Sequence, residues 1–209
     1  MDIQKFQHAC IVVKTKTASL VIDPGIYTRD LIVPRRVDAI IITHEHTDHM
    51  DEKLIGRILK KHPKAIIVGH PQAVAPFTKY QTLAVQAGEQ ATIAETTLRF
   101  FGGAHAPIAN SLQTPPNLGV LIDSTLYYPG DSFAAPGVPV KVLALPVSAP
   151  WLRINDAITF LSSIKPQLAF PTHDAILSRE GKALADRLIT GATPSGTRYL
   201  RIDTKQITV

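Results

Sequence analysis

Short apolar runs that alternate with stretches of helical periodicity constrain the fold more than any other feature of this sequence. The length of these runs and their Ile and Val content favour strands, whereas apolar residues spaced three and four apart indicate amphipathic helices. We predict strands at residues 9–13, 19–23, 38–43, 65–69, 84–87, 91–95, 97–101, 118–122, 126–129, 141–146, 167–171 and 198–203. We predict helices at residues 51–61, 72–80, 154–164 and 178–189. This order of elements predicts an α/β fold in which two mixed sheets form a sandwich flanked by helices.

Length and composition predict a single domain that spans residues 1–209. The chain has 209 residues, of which 45% are hydrophobic and 19% are charged, and no internal repeat is visible. A chain of this length buries roughly 70% of the surface that its unfolded form exposes, so it needs no disulfide or structural metal to fold. Any metal site in it is therefore expected to be functional.

Cysteine content and hydropathy bear on the cellular compartment. Cys10 is the only cysteine, which excludes a disulfide framework, a thiolate zinc site and an iron–sulfur cluster and suits a reducing compartment. No apolar run approaches the roughly 20 residues of a membrane helix. The first residues alternate polar and apolar side chains, unlike a signal peptide. We therefore expect a cytoplasmic protein with no membrane span.

Basic residues outnumber acidic ones, 22 to 17, for a net charge of +5. Such a balance can attract nucleic acid or anionic metabolites, but it is weak evidence by itself. Much of the positive charge recurs at helical spacing opposite an apolar stripe, and we interpret it as a solvated helix face. The residues concerned are Lys53, Arg57, Lys60, Lys61 and Lys64.

Four side chains that can bind metal follow the predicted strand 38–43 directly. They are His44, His46, Asp48 and His49. Histidine supplies a neutral nitrogen and aspartate a hard oxygen, a combination that suits zinc, or manganese or iron where oxygen ligands are more numerous. The spacing of His44 and His46 points both side chains the same way, whereas Asp48 and His49 can turn toward a second centre. So dense a group predicts two metal ions.

Three further candidates lie in similar positions, each after an apolar run. His105 follows RFFGGA, Asp131 follows LYYPG, and His173 follows LAFPT. Glycines such as Gly103 and Gly130 let the backbone bend sharply beside a crowded centre. Taken alone, either histidine is more typical of the core or the surface, and the aspartate of a turn. Together with the dense group they make two ligand spheres and one bridging carboxylate.

The segment Thr43-His-Glu-His-Thr-Asp-His49, followed by a spaced His, Asp and His, resembles the metallo-β-lactamase superfamily of metallohydrolases. The resemblance extends over residues 8–173 and implies a four-layer αββα sandwich. The ligands that it implies are His44, His46 and His105 for the first metal, Asp48, His49 and His173 for the second, and Asp131 as the bridge.

A second resemblance concerns the branch of that superfamily. His8-Ala-Cys10 together with Asp23-Pro24 is similar to the branch that includes L-ascorbate-6-phosphate lactonase. The resemblance implies that Asp23 supports the metal-binding loop. We expect His8 to have a structural or supporting role near the site. The chain has no room for a nuclease insertion domain or a fused flavodoxin, and no separate helical domain follows residue 173.

Two divalent ions can share a water and lower its pKa from about 15.7 toward neutrality, which yields a bridging hydroxide nucleophile. Asp48 is our candidate for orienting this water and moving its proton, with a role as ligand only as the alternative.

Trp151 and Arg153 are candidate substrate contacts, and ordinary packing is the alternative for Trp151. The irregular stretch 106–117 is a candidate lip of the pocket.

The function predicted from these features is a metal-dependent hydrolase acting on a small, anionic metabolite through a lactone, ester or phosphoester bond. The alternatives are a metal-dependent nuclease or phosphodiesterase and a noncatalytic, metal-bound module that binds a ligand. Zinc is the metal expected from three-histidine coordination, with manganese or iron as alternatives. We expect a small-molecule partner and neither a membrane nor nucleic acid, and chains could pair into a homo-oligomer through an edge strand or apolar helix faces.

Overall fold

Two mixed β-sheets of seven strands each form the centre of the molecule in the computed structural model, which describes residues 1–209. The strands are β1 Asp2–Lys5, β2 Ile11–Lys14, β3 Ser19–Ile22, β4 Ala39–Ile42, β5 Ile66–Gly69, β6 Thr82–Ala84, β7 Gln90–Ile93, β8 Thr96–Gly102, β9 Leu118–Ile122, β10 Leu126–Tyr128, β11 Val142–Pro146, β12 Leu168–Thr172, β13 Arg198–Tyr199 and β14 Gln206–Thr208. The helices are α1 Glu52–Lys61, α2 Pro71–Val74, α3 Ile154–Ile164 and α4 Arg179–Gly191, and a 3₁₀ turn spans Ala75–Phe77.

Each sheet combines an antiparallel half with a parallel half. The first sheet has the order β14-β1-β2-β3-β4-β5-β6, and its strands are parallel from β3 to β6. The second has the order β13-β12-β11-β10-β9-β8-β7, and its strands are parallel from β10 to β13. Parallel strands send their carboxyl ends to the same edge of a sheet, and such an edge is where open α/β sheets bind ligands.

Apolar side chains fill three layers between and around the sheets. The central cluster joins the inner faces of both sheets, for example Ile11 and Leu20 from the first with Phe100 and Phe170 from the second. A second cluster lies between the first sheet and α1, and a third lies between the second sheet and the helices α3 and α4. The predicted sandwich of two mixed sheets flanked by helices is therefore confirmed.

Helix α1 shows why the sequence pattern was informative. Asp51 caps its N-terminus by accepting a hydrogen bond from the Lys53 backbone N–H at 2.9 Å. Its apolar stripe, which includes Leu54 and Ile58, is buried against the first sheet. Four of the five basic residues lie exposed on the opposite side, as predicted for a solvated helix face, whereas Lys64 is exposed in the turn after the helix.

The structure differs from the predicted elements in four places. The strand predicted over residues 84–87 lies earlier, as β6 Thr82–Ala84, because those residues pair with Ile67–Gly69 of β5. The helix predicted over residues 72–80 is only α2 and a 3₁₀ turn, because Pro76 has no N–H to continue the helical ladder. The strand predicted over residues 198–203 stops at Tyr199, because the chain then crosses to the first sheet, where the Thr204 N–H bonds the Lys5 carbonyl at 2.9 Å. The terminal strands β1 and β14 were not predicted, since each is short and pairs with the opposite end of the chain.

The helices are short or amphipathic, and none combines the length and the apolar character that crossing a membrane requires.

Candidate metal centre

The ends of four strands deliver all seven predicted ligands to one edge of the sandwich. The loop after β4 carries His44, His46, Asp48 and His49, while β8, β10 and β12 are followed by His105, Asp131 and His173. Five of the seven residues are buried, and His46 and Asp48 are half-buried. Ionisable side chains are rarely buried in such number unless they bind one another or an ion.

The candidate ligand atoms fall into overlapping groups whose members lie within 4.8 Å of one another. The groups are His44, His46 and His105; Asp48, His49 and His173 together with His8; and His44, His49 and Asp131. Asp131 lies between the first two, because its Oδ1 is 3.1 Å from His49 Nε2 and its Oδ2 is 3.4 Å from His105 Nε2. This is the arrangement in which one carboxylate can contact two neighbouring ions.

Unpartnered polar atoms at the centre fit a metal site. The Nε2 atoms of His49, His105 and His173 and the Oδ1 atom of Asp131 are buried and have no hydrogen-bond partner. A buried polar atom without a hydrogen-bond partner lowers the stability of the fold by about 1–3 kcal/mol. Four such atoms around one space therefore indicate that a shared partner, such as a metal ion, binds there. Imidazole nitrogens and a carboxylate oxygen are ligands that zinc and other first-row divalent ions accept.

Three of these histidines are oriented through their other ring nitrogen. In each, the Nδ1–H donates to an oxygen atom, so Nε2 faces the centre and is the nitrogen that can bind an ion in place of a proton. The acceptors are Asp23 Oδ2 for His49 at 2.7 Å, the Ala106 carbonyl for His105 and the Ser148 carbonyl for His173. Such outer partners set the tautomer and orientation that metal binding requires.

Asp23 connects the end of β3 to the loop that carries four of the ligands. Its carboxylate is fully buried and accepts hydrogen bonds from the Thr43 N–H at 2.8 Å, the Thr43 hydroxyl at 2.6 Å and His49. The backbone of Asp23 has a φ of 45°, a left-handed value that residues other than glycine rarely adopt. Asp23 is therefore in direct contact with the loop that carries four of the candidate ligands.

His8 supports Asp48 from the opposite side. Its Nδ1 accepts a hydrogen bond from the Ala175 N–H at 3.2 Å, so the ring proton is on Nε2, which donates to Asp48 Oδ2 at 2.9 Å. Burial lowers the pKa of His8 to about 4, which keeps the ring neutral near pH 7. Although His8 belongs to one of the ligand groups, this tautomer has no lone pair directed at the centre.

Burial and charge act in opposite directions on the histidines of the centre. Burial lowers the pKa of His44 and His46 and keeps both rings neutral, as ligation requires. Burial also lowers the pKa of His173, but the charges of Asp131 and Asp48 outweigh it and raise that pKa to about 9. The two carboxylates thus make a positive charge favourable in the space between the candidate ligands.

Of the two predicted substrate contacts, the structure brings only Trp151 to the centre. The Trp151 indole N–H donates to Asp131 Oδ2 at 3.0 Å. The Arg153 side chain is 84% exposed and binds Asp156 within the first turn of α3, with no contact to the candidate ligands.

Asn117 is a supporting residue that the sequence did not reveal. Its Oδ1 accepts from the Asp131 N–H at 2.9 Å, and its Nδ2 donates to the Pro129 carbonyl at 2.8 Å. A Cβ atom at Gly130 would lie 2.3 Å from Asn117 Oδ1, so only glycine fits there. The only signal was a polar residue at the end of the irregular stretch 106–117, directly before an apolar strand, which is too common a pattern to indicate a role.

Comparison with known proteins agrees with this geometry. The family model described as the beta-lactamase superfamily domain matches residues 2–173. The chain belongs to the beta-lactamase superfamily. This membership makes it a metal-dependent hydrolase. The two mixed sheets flanked by helices match the metallo-β-lactamase fold of the solved neighbours.

Relatives of this superfamily member come from bacteria and archaea. It is similar to protein Rv0786c of Mycobacterium tuberculosis, with 31% identity over 96% of both chains. It is also similar to the UPF0173 metal-dependent hydrolase NEQ378 of Nanoarchaeum equitans, with 23% identity over 83% of both chains. Among solved structures, Igni18, a metallo hydrolase from Ignicoccus hospitalis, has a TM-score of 0.77 at 16% identity and covers 100% of this chain and 98% of its own. At that identity the last likeness concerns the fold alone.

Proposed function

We propose that this superfamily member hydrolyses a small metabolite at a dinuclear centre of divalent ions. The observation that carries the proposal is the set of buried, unpartnered nitrogen and oxygen atoms that converge on one space. Two divalent ions, when bound, activate water as a nucleophile and polarise the oxygen atom that gains charge. In this proposal the protein supplies the ligands, their orientation and the shape of the pocket.

The proposed ligands divide between two ions. The first ion would be held by His44, His46 and His105, the second by Asp48, His49 and His173, and Asp131 would contact both. Zinc suits the three-histidine set, while the oxygen ligands of the second set also suit manganese or iron. Asp23 and His8 would orient His49 and Asp48 through the hydrogen bonds described above.

Asp48 is the proposed residue for proton transfer. Its side chain is 25% exposed, the most open carboxylate of the centre, and one of its oxygens is held by His8. A carboxylate fixed by one oxygen can accept a proton from the attacking water on the other and return it to the leaving group. Asp48 would therefore serve both as a ligand and as a general base.

The substrate class that we propose is a lactone, ester or phosphoester, as in the lactonase-like branch. Trp151 offers a flat aromatic surface beside the centre. A phosphate group is best held by fixed cations, and Arg153 is already bound to Asp156. A phosphorylated substrate would therefore have its negative charge balanced by the metal ions themselves. A lactone or ester needs no cation beyond those ions.

We also propose a reducing compartment such as the cytoplasm. The support is that Cys10 is fully buried among apolar side chains, where burial raises the pKa of its thiol far above the ordinary value. Such a thiol behaves as a small apolar side chain and forms no disulfide.

The experiment that tests the proposal is elemental analysis of the purified chain, followed by a substrate panel in the presence of the metal that is found. About two ions per chain and chelator-sensitive hydrolysis of lactones, esters or phosphoesters are expected. Two ions with no turnover but tight binding of a metabolite would favour a binding module instead. A chain that takes up no ion, even after reconstitution, would contradict the dinuclear centre.

A further inference from the structure

Building on the proposed dinuclear centre, we propose that Trp151 is a positioning residue for the bridging carboxylate. Its indole N–H binds Oδ2 of Asp131 and thereby fixes the rotation of a carboxylate whose two oxygens both face candidate ligand atoms. The sequence indicated only a candidate substrate contact or ordinary packing at this position. Positioning of a ligand is a different role, and it can be measured by metal binding.

The position of Trp151 is well defined by its surroundings. It lies in the segment between β11 and α3. The preceding residue is Pro150, whose ring fixes its φ angle and so restricts the backbone conformation just before Trp151. The indole ring meets Phe133 edge to face at a centroid distance of 5.3 Å. It also approaches the rings of His105 at 6.1 Å and His173 at 6.4 Å. The ring therefore lies near one proposed ligand of each metal site.

The two oxygens of Asp131 have different environments. Oδ2 accepts the indole N–H at 3.0 Å and also lies 3.1 Å from His173 Nε2, whereas Oδ1 has no hydrogen-bond donor and lies 3.1 Å from His49 Nε2. The backbone of Asp131 is held separately, because its N–H bonds Asn117 and its carbonyl bonds the Ala106 N–H at 2.8 Å. The remaining freedom of this residue is side-chain rotation, and the indole hydrogen bond restricts that rotation.

An indole donor also suits this position chemically. The N–H of tryptophan donates and never accepts, so it can only bind the carboxylate and cannot compete for a metal. A hydrogen bond to a charged acceptor is stronger than one between neutral groups. Loss of an outer partner of a metal ligand commonly lowers metal affinity by about 10–100-fold.

Replacement of Trp151 by Phe separates the hydrogen bond from the packing. Trp151→Phe keeps an aromatic ring and removes the donor, whereas Phe133→Leu disturbs the ring contact and leaves the donor in place. We expect Trp151→Phe to weaken zinc binding by about 10–100-fold in competition with a chelator, and Phe133→Leu to change it by less than about 3-fold. Thermal unfolding of the metal-free variants checks that both are folded. A Trp151→Phe variant that fails this check is replaced by a benzothiophene analogue of tryptophan, in which sulfur takes the place of the N–H.

Trp151 is the only tryptophan, so its indole N–H gives a single, assignable signal in a ¹⁵N–¹H spectrum. In the full-length protein without metal we expect Asp131→Asn to move the indole proton upfield, because a neutral amide is a weaker acceptor than a carboxylate. A purely packing role would leave this signal in place. An indole signal unchanged in Asp131→Asn would overturn the proposal.

The outcomes distinguish this inference from the proposed function. Wild-type protein with two bound ions and a Trp151→Phe variant of equal affinity would remove the role of Trp151 and leave the dinuclear centre intact. Wild-type protein that binds no zinc would remove both. Weaker zinc binding in Trp151→Phe, together with the indole shift in Asp131→Asn, would support the positioning role.

Discussion

Three residues at the centre adopt left-handed backbone conformations although none is glycine. They are His8 with a φ of 62°, Asp23 with 45° and His173 with 57°. The His173 N–H also bonds the His8 carbonyl at 3.0 Å, so two of these residues hold each other. Such conformations cost of order 1–3 kcal/mol each and persist where surrounding contacts require them.

Replacement of His8 tests the support that it gives to Asp48. Asparagine tolerates a left-handed φ but is too short to reach Asp48, so His8→Asn should remove the 2.9 Å hydrogen bond without backbone strain. We expect about 10–100-fold weaker binding of one of the two ions, measured by titration against a chelator.

His70 provides the matched control for His8. It caps the short helix α2 by accepting from the Gln72 N–H at 3.3 Å and has no contact with the candidate ligands. His70→Asn should leave metal affinity unchanged. Equal affinities in the two variants would contradict the supporting role of His8.

Loss of a proposed ligand should lower metal binding and hydrolysis more than loss of a residue that only orients a ligand. His46→Ala removes an imidazole from the first set while its half-buried position limits the damage to the fold. We expect the metal content to fall by about one ion per chain and hydrolysis to fall by at least about 100-fold. His62→Ala is the control, because the His62 ring binds the Pro34 carbonyl at 2.9 Å, away from the ligand groups. Normal metal content and turnover in His46→Ala would remove His46 from the ligand set.

At the scale of elements, the loop after β4 is held by a close contact with the chain after β3. A Cβ atom at Gly25 would lie 1.8 Å from the Asp48 carbonyl oxygen, so the two segments touch backbone to backbone. The Ile26 N–H bonds the Thr47 carbonyl at 2.9 Å in the same contact. The position of the ligand loop therefore depends on glycine at residue 25.

Substitution of Gly25 should displace the ligand loop. Gly25→Ala forces the backbone at Asp48 to move, and we expect loss of at least one ion together with a lower melting temperature. Gly56→Ala is the matched control, because nothing lies within 4 Å of its added Cβ on helix α1. That change should stabilise the protein by up to about 1 kcal/mol. Metal analysis and thermal unfolding of both variants make the comparison, and full metal content in Gly25→Ala would contradict the expectation.

At the scale of the whole molecule, a buried ion network ties both chain ends to the residue after His173. Asp174 is fully buried and binds Lys5 of β1 at 2.8 Å and Arg201 of the C-terminal segment. Arg201 continues to Asp186 of α4 at 2.6 Å. One carboxylate thus joins the first sheet, the second sheet and a covering helix next to a proposed ligand.

Neutralisation of Asp174 should destabilise the fold at neutral pH. Asp174→Asn removes the nearer charged partner of the buried Lys5 ammonium and leaves only Asp203 at 3.5 Å, and we expect a loss of about 3–5 kcal/mol in urea unfolding. The control is Asp156→Asn, which breaks the exposed pair with Arg153 and should cost less than about 1 kcal/mol. Equal losses in the two variants would contradict this role for Asp174.

The same network makes a pH-dependent contribution to stability. Burial raises the pKa of Asp174, but Lys5 and Arg201 outweigh it and hold the pKa below its ordinary value. The stabilisation is therefore fully present above the unfolded pKa of about 3.9 and declines as the pH falls through the lower folded value. The stability difference between wild type and Asp174→Asn should stay constant from pH 7 to pH 5 and narrow below about pH 4. Urea unfolding across this range measures it, and a constant difference at pH 3 would contradict the linkage.

Regular elements were predictable where local pattern decides them. Helix α3 spans Ile154–Ile164, as predicted, and β9 spans Leu118–Ile122, as predicted. The terminal strands were not predictable, because Asp2 pairs with Thr208 across nearly the whole chain. Short strands of this kind have no periodicity of their own and form only when a partner is present.

Local pattern was enough to predict that the candidate metal ligands follow apolar strands, since the strand pattern and the residue types are both properties of short segments. The way in which these side chains are held follows from the folded chain, because His8 meets Asp48, Trp151 meets Asp131, and the two chain ends meet around Asp174. Each pairing joins segments that are distant in the chain and depends on the conformation of loops between rigid strands. Directional hydrogen bonds between such segments form only in the folded molecule, so no local pattern predicts them.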